Sequence, residues 1–186
     1  CLMDGVPLES LSTRCLAQTV SYIPQQSGIS VSMSAREVVL MGCNPRLGVL
    51  QSPTAAMCAA AEEALRTVGL ADKAEQDYLT LSGGERTRVL LAGAELSGAD
   101  TVLLDEPSNH LDTRARDLLY DFVGRSRAAM LIVSHDRALL ERMDAIVELG
   151  SGRAVRYGGN YTFYCEQRDL QLEALHRRAD ERQRTL

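Results

Sequence analysis

One unbroken run, LSGGERTRVLLAGAELSGADTVLLDEPSNHLD from Leu81 to Asp112, restricts what this chain can fold into more than any other. Ser82 and the pair Gly83-Gly84 precede apolar residues at helical spacing, namely Val89, Leu90, Ala92, Ala94 and Leu96. A serine hydroxyl and first-turn N–H groups that lack intrahelical partners make such a helix start an anion site. Gly98 breaks the helix, and Thr101-Val102-Leu103-Leu104 reads as a buried parallel strand. That strand runs into Asp105-Glu106-Pro107, two adjacent carboxylates that strand alternation sends to opposite sides. One can hold a hydrated magnesium ion while the other polarises a water. A capped helix and a strand with a charged end would account for each half alone. The two halves in this order argue against so plain an account.

The flanking segments alternate strands with helices. Pro7 to Thr19 predicts a short helix capped by Ser10 or Ser12. Val20 to Ile23 predicts a strand ended by Pro24, with Gln25 and Gln26 immediately after it. A glutamine at a strand end can offer its amide oxygen to a metal and its NH2 to a water, or be an ordinary polar loop residue. Ser27-Gly28 marks a flexible turn. Ser34 stands three residues before Glu37, a capping box that opens a helix through Met41. Gly42 to Gln51 reads as a loop, and Ser52-Pro53 as the start of a helix running to Val68 and stopped by Gly69. Ala56, Ala60, Ala64 and Leu65 are expected on its packed face. These helices make a small insert with the Ser82 turn at its exit, placed to carry that turn as a movable arm.

Downstream, Thr113 to Ser126 is amphipathic with Leu118, Leu119 and Phe122 inward. Ala128 to Val133 reads as a second buried strand leading to Ser134-His135-Asp136. A histidine at the C-terminal end of a parallel strand sits on the edge where α/β sheets bind ligands, although a hydrogen-bonded loop residue fits as well. Arg137 to Met143 predicts another short helix. Ala145 to Leu149 and Ala154 to Tyr157 predict a hairpin around Gly150-Ser151-Gly152. This alternation argues for an α/β layered domain with a parallel sheet.

The 186 residues, 45% of them hydrophobic, suit one domain with a substantial core. A net charge of −5 argues against a surface that coats nucleic acid. No run approaches the ~18 apolar residues of a membrane span, so any membrane link would go through a partner. Cys1, Cys15, Cys43, Cys58 and Cys165 are odd in number and form no CxxC pair, and read as reduced cytosolic thiols. There is no signal-peptide pattern, and a start at Cys1 reads as a fragment. Asn160 to Leu186 differs in kind. An aromatic patch (Tyr161, Phe163, Tyr164) leads into a charged helix whose few large apolar residues are Leu170, Leu172 and Leu175. Such a helix projects or pairs with another, either as a solvated face or as an arm that meets RNA or a partner. The aromatic patch would anchor its base.

The pieces LSGGER (Leu81 to Arg86), LLDEP (Leu103 to Pro107), SNHLD (Ser108 to Asp112) and SHD (Ser134 to Asp136) resemble the ATP-binding cassette ATPases in order and spacing. The resemblance covers nearly the whole chain. It implies an α/β, P-loop NTPase-like layered parallel sheet with a helical insert at about residues 30–80 and a C-terminal charged linker helix. Residues 1–159 would be the nucleotide-binding domain and residues 160–186 the start of the interdomain linker. ATP and Mg2+ are the implied cofactors, and a second cassette, in the same chain or another, the implied partner. On this resemblance Leu81, Ser82, Gly83, Gly84 and Glu85 form the signature that meets the γ-phosphate held by the opposite cassette. Asp105 faces magnesium, and Glu106 acts on the attacking water. SNHLD resembles the D-loop, which brings Asn109 and Asp112 to the nucleotide. His135 matches the switch histidine, and Gln25 the Q-loop glutamine at the metal.

Two details are similar to the F subfamily, twin-cassette proteins that act on ribosomes: Glu85 follows the signature glycines where glutamine is usual, and SNHLD is close to that group's D-loop. More telling, Tyr157-Gly158-Gly159-Asn160-Tyr161, then Tyr164 and Glu166-Gln167-Arg168, lead into the charged helix, which resembles the passage from a first cassette into the interdomain linker. That implies ribosome or rRNA as partner and a cytoplasmic location. Ser34 to Gly48 instead resembles the ATPases of iron-siderophore or cobalamin importers, which implies a membrane permease. A nucleotide-incompetent scaffold is the third alternative. The phosphate-cradling GxxxxGK[ST] loop is absent from the sequence, and the one lysine, Lys73, lies in no such setting. In the family that loop lies upstream, so the resemblance implies a cassette truncated at its N-terminus and, by itself, inactive.

Overall fold

The computed structural model describes the chain except for Cys1, Asp4, Gln26, Ser27, Val49, His110, Ser151, Thr185 and Leu186, and except for the side chains of residues 175, 176 and 178–184. The expectations placed on Cys1, Gln26, Ser27, His110 and Ser151 lie outside the described residues. The chain divides into two compact units, Cys1–Ser134 and His135–Leu186.

In the first unit a short hairpin, β1 (Leu2–Met3) and β2 (Val6–Pro7), turns at Gly5 with φ 80°. Its strands are too brief to leave a periodic signal, and no sequence pattern announced them. Helix α1 (Thr13–Thr19) is capped by Ser12, whose hydroxyl accepts from the Cys15 N–H, so of the two serines offered it is the second that caps. Strand β3 (Val20–Ile23) follows directly.

The insert is then built from α2 (Ala35–Leu40) and α3 (Ala55–Thr67). The Ser34–Glu37 capping box is present in full. Beyond α2 the chain does not loop out at once but tightens into a 3-10 turn, Met41–Arg46. The cap of α3 is Thr54, not Ser52: its hydroxyl accepts from the Met57 N–H at 3.3 Å. The packed face also differs, because Ala61, Leu65 and Val68 are buried whereas Ala56 and Ala60 are exposed. Alanines occupy several faces of this helix, so their spacing cannot choose one. The large side chains Leu65 and Val68 contribute the apolar area and set the orientation.

Helix α4 (Gly83–Ser97) closes the insert's core, with Val89 and Ala92 against Val39, Leu65, Leu70 and Tyr78. Gly42 meets it closely: a Cβ there would lie 2.2 Å from the Gly93 carbonyl oxygen, so only glycine allows the crossing. Gly98, at φ 61°, ends α4 in the left-handed conformation that favours glycine. The chain then reverses into β4 (Thr101–Asp105), and α5 (Thr113–Arg125) carries it to β5 (Ala129–Val133). On α5 the buried residues are Ala115, Leu119, Tyr120 and Phe122, with Leu118 only partly covered.

The three strands form one parallel sheet in the order β3-β4-β5. Val20 pairs with Thr101 and Thr101 with Ala129, which aligns the strands along their length. One face, bearing Ile23, Val102 and Leu104, is buried. The other, with Tyr22, Leu103 and Leu131 in register, is open: Tyr22 is 58% exposed, Leu131 58% and Val133 56%. The expectation of a fully buried β5 is therefore corrected. A parallel strand is buried on both sides only where elements cover both faces of its sheet.

The second unit holds α6 (Arg137–Leu140), the antiparallel pair β6 (Ala145–Gly150) and β7 (Arg153–Gly158), and the long helix α7 (Tyr161–Arg184). The base of α7 is fastened by the aromatic patch. Tyr164 is buried and meets Tyr157 edge-on with ring centroids 5.1 Å apart, and Tyr161 stands 5.9 Å from it. Burial, with the Glu148 carboxylate beside it, pushes the Tyr164 phenol above its ordinary range. The Asn160 side-chain oxygen caps α7 by accepting from the Phe163 N–H, while Glu141 accepts from the Thr162 N–H at 3.0 Å. Among the described residues no helix is long and apolar enough to cross a membrane.

Candidate functional site

The site residues of the first unit are placed by three local devices: a helix start, a strand end and a bend. The helix start is the Ser82 turn. Ser82 caps α4 with β-region backbone, its hydroxyl accepting from the Glu85 N–H at 3.3 Å, while Glu85 Oε2 accepts from the Ser82 N–H at 2.8 Å. This capping box satisfies Ser82 and Glu85, leaving Gly83 and Gly84 as first-turn donors without intrahelical acceptors. Ser82 and Gly83 are exposed, and Leu81 behind them is buried at 3%. The turn thus lies at the surface, with Gly84 half-buried, at the positive end of a 15-residue helix. Such a turn suits an anionic oxygen.

Glu85 has a second partner that no local pattern revealed. Its Oε1 accepts from Lys73, twelve positions earlier in the 3-10 turn Ala71–Lys73. The Lys73 ammonium and the Ser82 N–H hold the Glu85 carboxyl down at about 2, from an ordinary 4.5.

The strand end is Asp105-Glu106. Asp105 is the last residue of β4, paired with Val133 of β5, and half-buried. Glu106 is already outside the strand: its φ is 46°, its N–H donates to the Val133 carbonyl at 2.8 Å, and its own carbonyl accepts from the Asn109 N–H at 3.1 Å. The pleat therefore stops at Asp105, and alternation does not set the direction of Glu106. That direction follows from a left-handed backbone, rare for a residue with a side chain. The Oε2 atom of Glu106 lies out of solvent. Pro107 and Ser108 are buried immediately behind it.

Gln25 lies two residues past the end of β3, in an exposed bend. With β3 and β4 parallel and in register, it leaves the sheet at the same carboxyl edge as Asp105. Asn109 is half-buried in the turn after Glu106. Asp112 is the N-cap of α5, its Oδ1 accepting from the Ala115 N–H at 2.7 Å, so this carboxylate already has a structural task. His135 is exposed and opens the second unit, one residue past Ser134. Asp136 next to it caps α6, accepting from the Ala138 and Leu139 N–H groups.

The donor set fits the implied groups in kind. Neutral N–H and hydroxyl donors at Ser82, Gly83 and Gly84 suit phosphate oxygens. A carboxylate at Asp105 and an amide oxygen at Gln25 are hard oxygen ligands of the sort magnesium takes, leaving most of its positions to water. Among the described residues no group of three His, Cys, Asp or Glu side chains is placed to hold a metal ion.

Comparison with known proteins converges on one family. A family profile described as ABC transporter matches residues 1–109. The energy-dependent translational throttle protein EttA of Mycobacterium tuberculosis is 40% identical over 114 residues, 61% of this chain and 20% of that protein. The cobalamin import ATP-binding protein BtuD of Halobacterium salinarum is 32% identical over 157 residues, 82% of this chain and 39% of that one. The hemin import ATP-binding protein HmuV of Myxococcus xanthus is 36% identical over 168 residues, covering 84% and 62%. The chain thus spans less than two thirds of the length of each of these relatives. A dimeric ATP-binding cassette bound to ADP and Pi in a post-hydrolysis state shares the fold, with TM-score 0.72 and 20% identity over 84% of this chain and 71% of that one. The ATP-binding subunit of an ABC transporter gives TM-score 0.71 at 20% identity, covering 84% and 65%. With the profile spanning more than half of its residues, this chain belongs to the ABC transporter family, as part of an ATP-binding cassette.

Proposed function

We propose that this chain supplies the phosphate lid and the water-activating acid of an ATP-hydrolysing cassette that works against a second cassette. The observation that carries the reading is the Ser82 turn: an exposed hydroxyl and two first-turn N–H donors at the positive end of α4. Phosphoryl transfer needs positioning and compensation of negative charge more than covalent chemistry. In this reading Ser82, Gly83 and Gly84 close over phosphates bound on the opposite cassette. Glu106 accepts a proton from the attacking water, Gln25 and Asp105 face the metal, Asn109 and Asp112 shape the D-loop, and His135 touches the γ-phosphate. Magnesium, when bound, neutralises developing charge on the phosphate oxygens. Loss of the γ-phosphate then removes the group that joins the halves, and they part.

The finer reading is an F-type protein acting on the ribosome. The similarity to the translational throttle protein EttA and the anchored, 24-residue charged helix α7 favour it. The hemin and cobalamin import relatives, which match more of the chain, favour an importer ATPase beside a permease instead. In the full-length protein, Glu106→Gln is expected to cut ATP turnover by ~10²-fold or more while ATP-driven pairing of cassettes persists. Unchanged turnover would remove Glu106 from its role. Trapped with ATP, the same variant should co-sediment with ribosomes. Failure to do so, with capture of a permease from solubilised membranes, would favour the importer reading.

A further inference from the structure

A glutamate in the first turn of a phosphate-binding helix poses an electrostatic problem. Its carboxylate improves the capping box, since it accepts from the Ser82 N–H. The same charge lies one residue from Gly84, where an approaching triphosphate would be repelled. The structure meets this with Lys73. Glu85 uses Oε2 for the cap and Oε1 for the Lys73 ammonium, so one carboxylate serves the turn and is neutralised at the same time. The pair is shielded, with the Glu85 side chain 17% exposed and that of Lys73 33%.

The neighbouring charges are engaged elsewhere. Arg86 donates to the Leu79 carbonyl and lies over the Tyr78 ring, and Arg88 donates to the Val68 carbonyl at 3.0 Å. Glu75 pairs with Arg36 at 3.0 Å, and Asp77 accepts from the Ser32 hydroxyl at 2.5 Å. Compensation of Glu85 therefore falls to the one lysine in the sequence.

We propose that Lys73 is a positioning residue for the lid, cancelling the Glu85 carboxylate so that the Ser82–Gly84 turn keeps its capping box without repelling a triphosphate. This rests on the functional reading above. It also gives the insert a chemical part in nucleotide binding: the turn that bears Lys73 sets the charge that the lid presents.

The test is steady-state ATP hydrolysis by the full-length protein, with circular dichroism to confirm folding. Lys73→Met is expected to raise the KM for ATP about tenfold, the scale of one uncompensated charge a few ångström from a multiply charged anion, with a small effect on kcat. The defect should shrink as ionic strength rises. Glu85→Gln keeps an acceptor for the Ser82 N–H but loses the charge, and should lower the KM. The double variant Lys73→Met/Glu85→Gln should recover a KM within about twofold of wild type. A latch that merely holds the insert to α4 predicts the opposite: each single variant impaired and the double no better. That result, or an unchanged KM in Lys73→Met, overturns the proposal. If Lys73→Met does not fold, the KM of Glu85→Gln decides, because only charge compensation lowers it. A full-length protein without ATPase activity overturns the functional reading itself and this inference with it.

Discussion

Glu106 is where the proposed function and backbone economy conflict. A side chain at φ 46° costs about 1–2 kcal/mol relative to the right-handed region, and Pro107 after it restricts the backbone further. Glycine at this position would relieve the strain but lose about 0.5–1 kcal/mol of unfolded-chain entropy. Glu106→Gly is therefore expected to be as stable as wild type or up to about 1.5 kcal/mol more so, while losing turnover, as read by urea unfolding alongside ATPase assays. A loss of more than about 1 kcal/mol would show that the carboxylate holds the turn rather than being held by it. The sequence identified this glutamate by its place after an apolar strand. It gave no sign of the left-handed backbone, because φ at a non-glycine residue is dictated by what the following turn must reach. Asp112 is a similar case, its spacing matching a D-loop while its carboxylate caps α5.

The insert shows what capping can and cannot convey at the level of elements. The Ser34–Glu37 box was legible because it is made within four consecutive residues, whereas Ser82 was legible as a helix start and its box with Glu85 came from the structure. Lys73 was not, since its partner is twelve positions away on another element. This pair has a consequence in acid. The folded Glu85 carboxyl sits at about 2 against an ordinary 4.5, so its contribution to stability is complete above about pH 4.5 and is lost as pH falls toward 2. Glu37 and Asp77 are lowered too, chiefly by bonds from Ser34 and Ser32, so the insert loses support in the same direction. Acid unfolding followed by circular dichroism should begin at higher pH in Lys73→Met than in wild type. Coincident curves would show that the ammonium does not depress Glu85.

At the scale of the whole molecule, the decisive feature is the division between what the chain holds and what it must meet. No phosphate-cradling GxxxxGK[ST] loop occurs in the sequence, so the 186 residues alone are expected to bind ATP more weakly than about 100 µM by isothermal titration. Micromolar affinity would mean that the Ser82 turn or the sheet edge holds a triphosphate unaided. The open face of the sheet, with Tyr22, Leu103 and Leu131 aligned across three strands, is equally a feature of the assembled fold. By itself the sequence determined the alternation of strands and helices in an α/β layer, the Ser34 capping box, the acidic strand end and the glycine turn, because each depends on side chains within a few residues of one another. Only the tertiary structure decided which face of α3 is packed, that β5 lies half open, and that Lys73 answers Glu85. Those outcomes turn on how area and charge from distant segments meet, and periodicity along the chain carries no information about that.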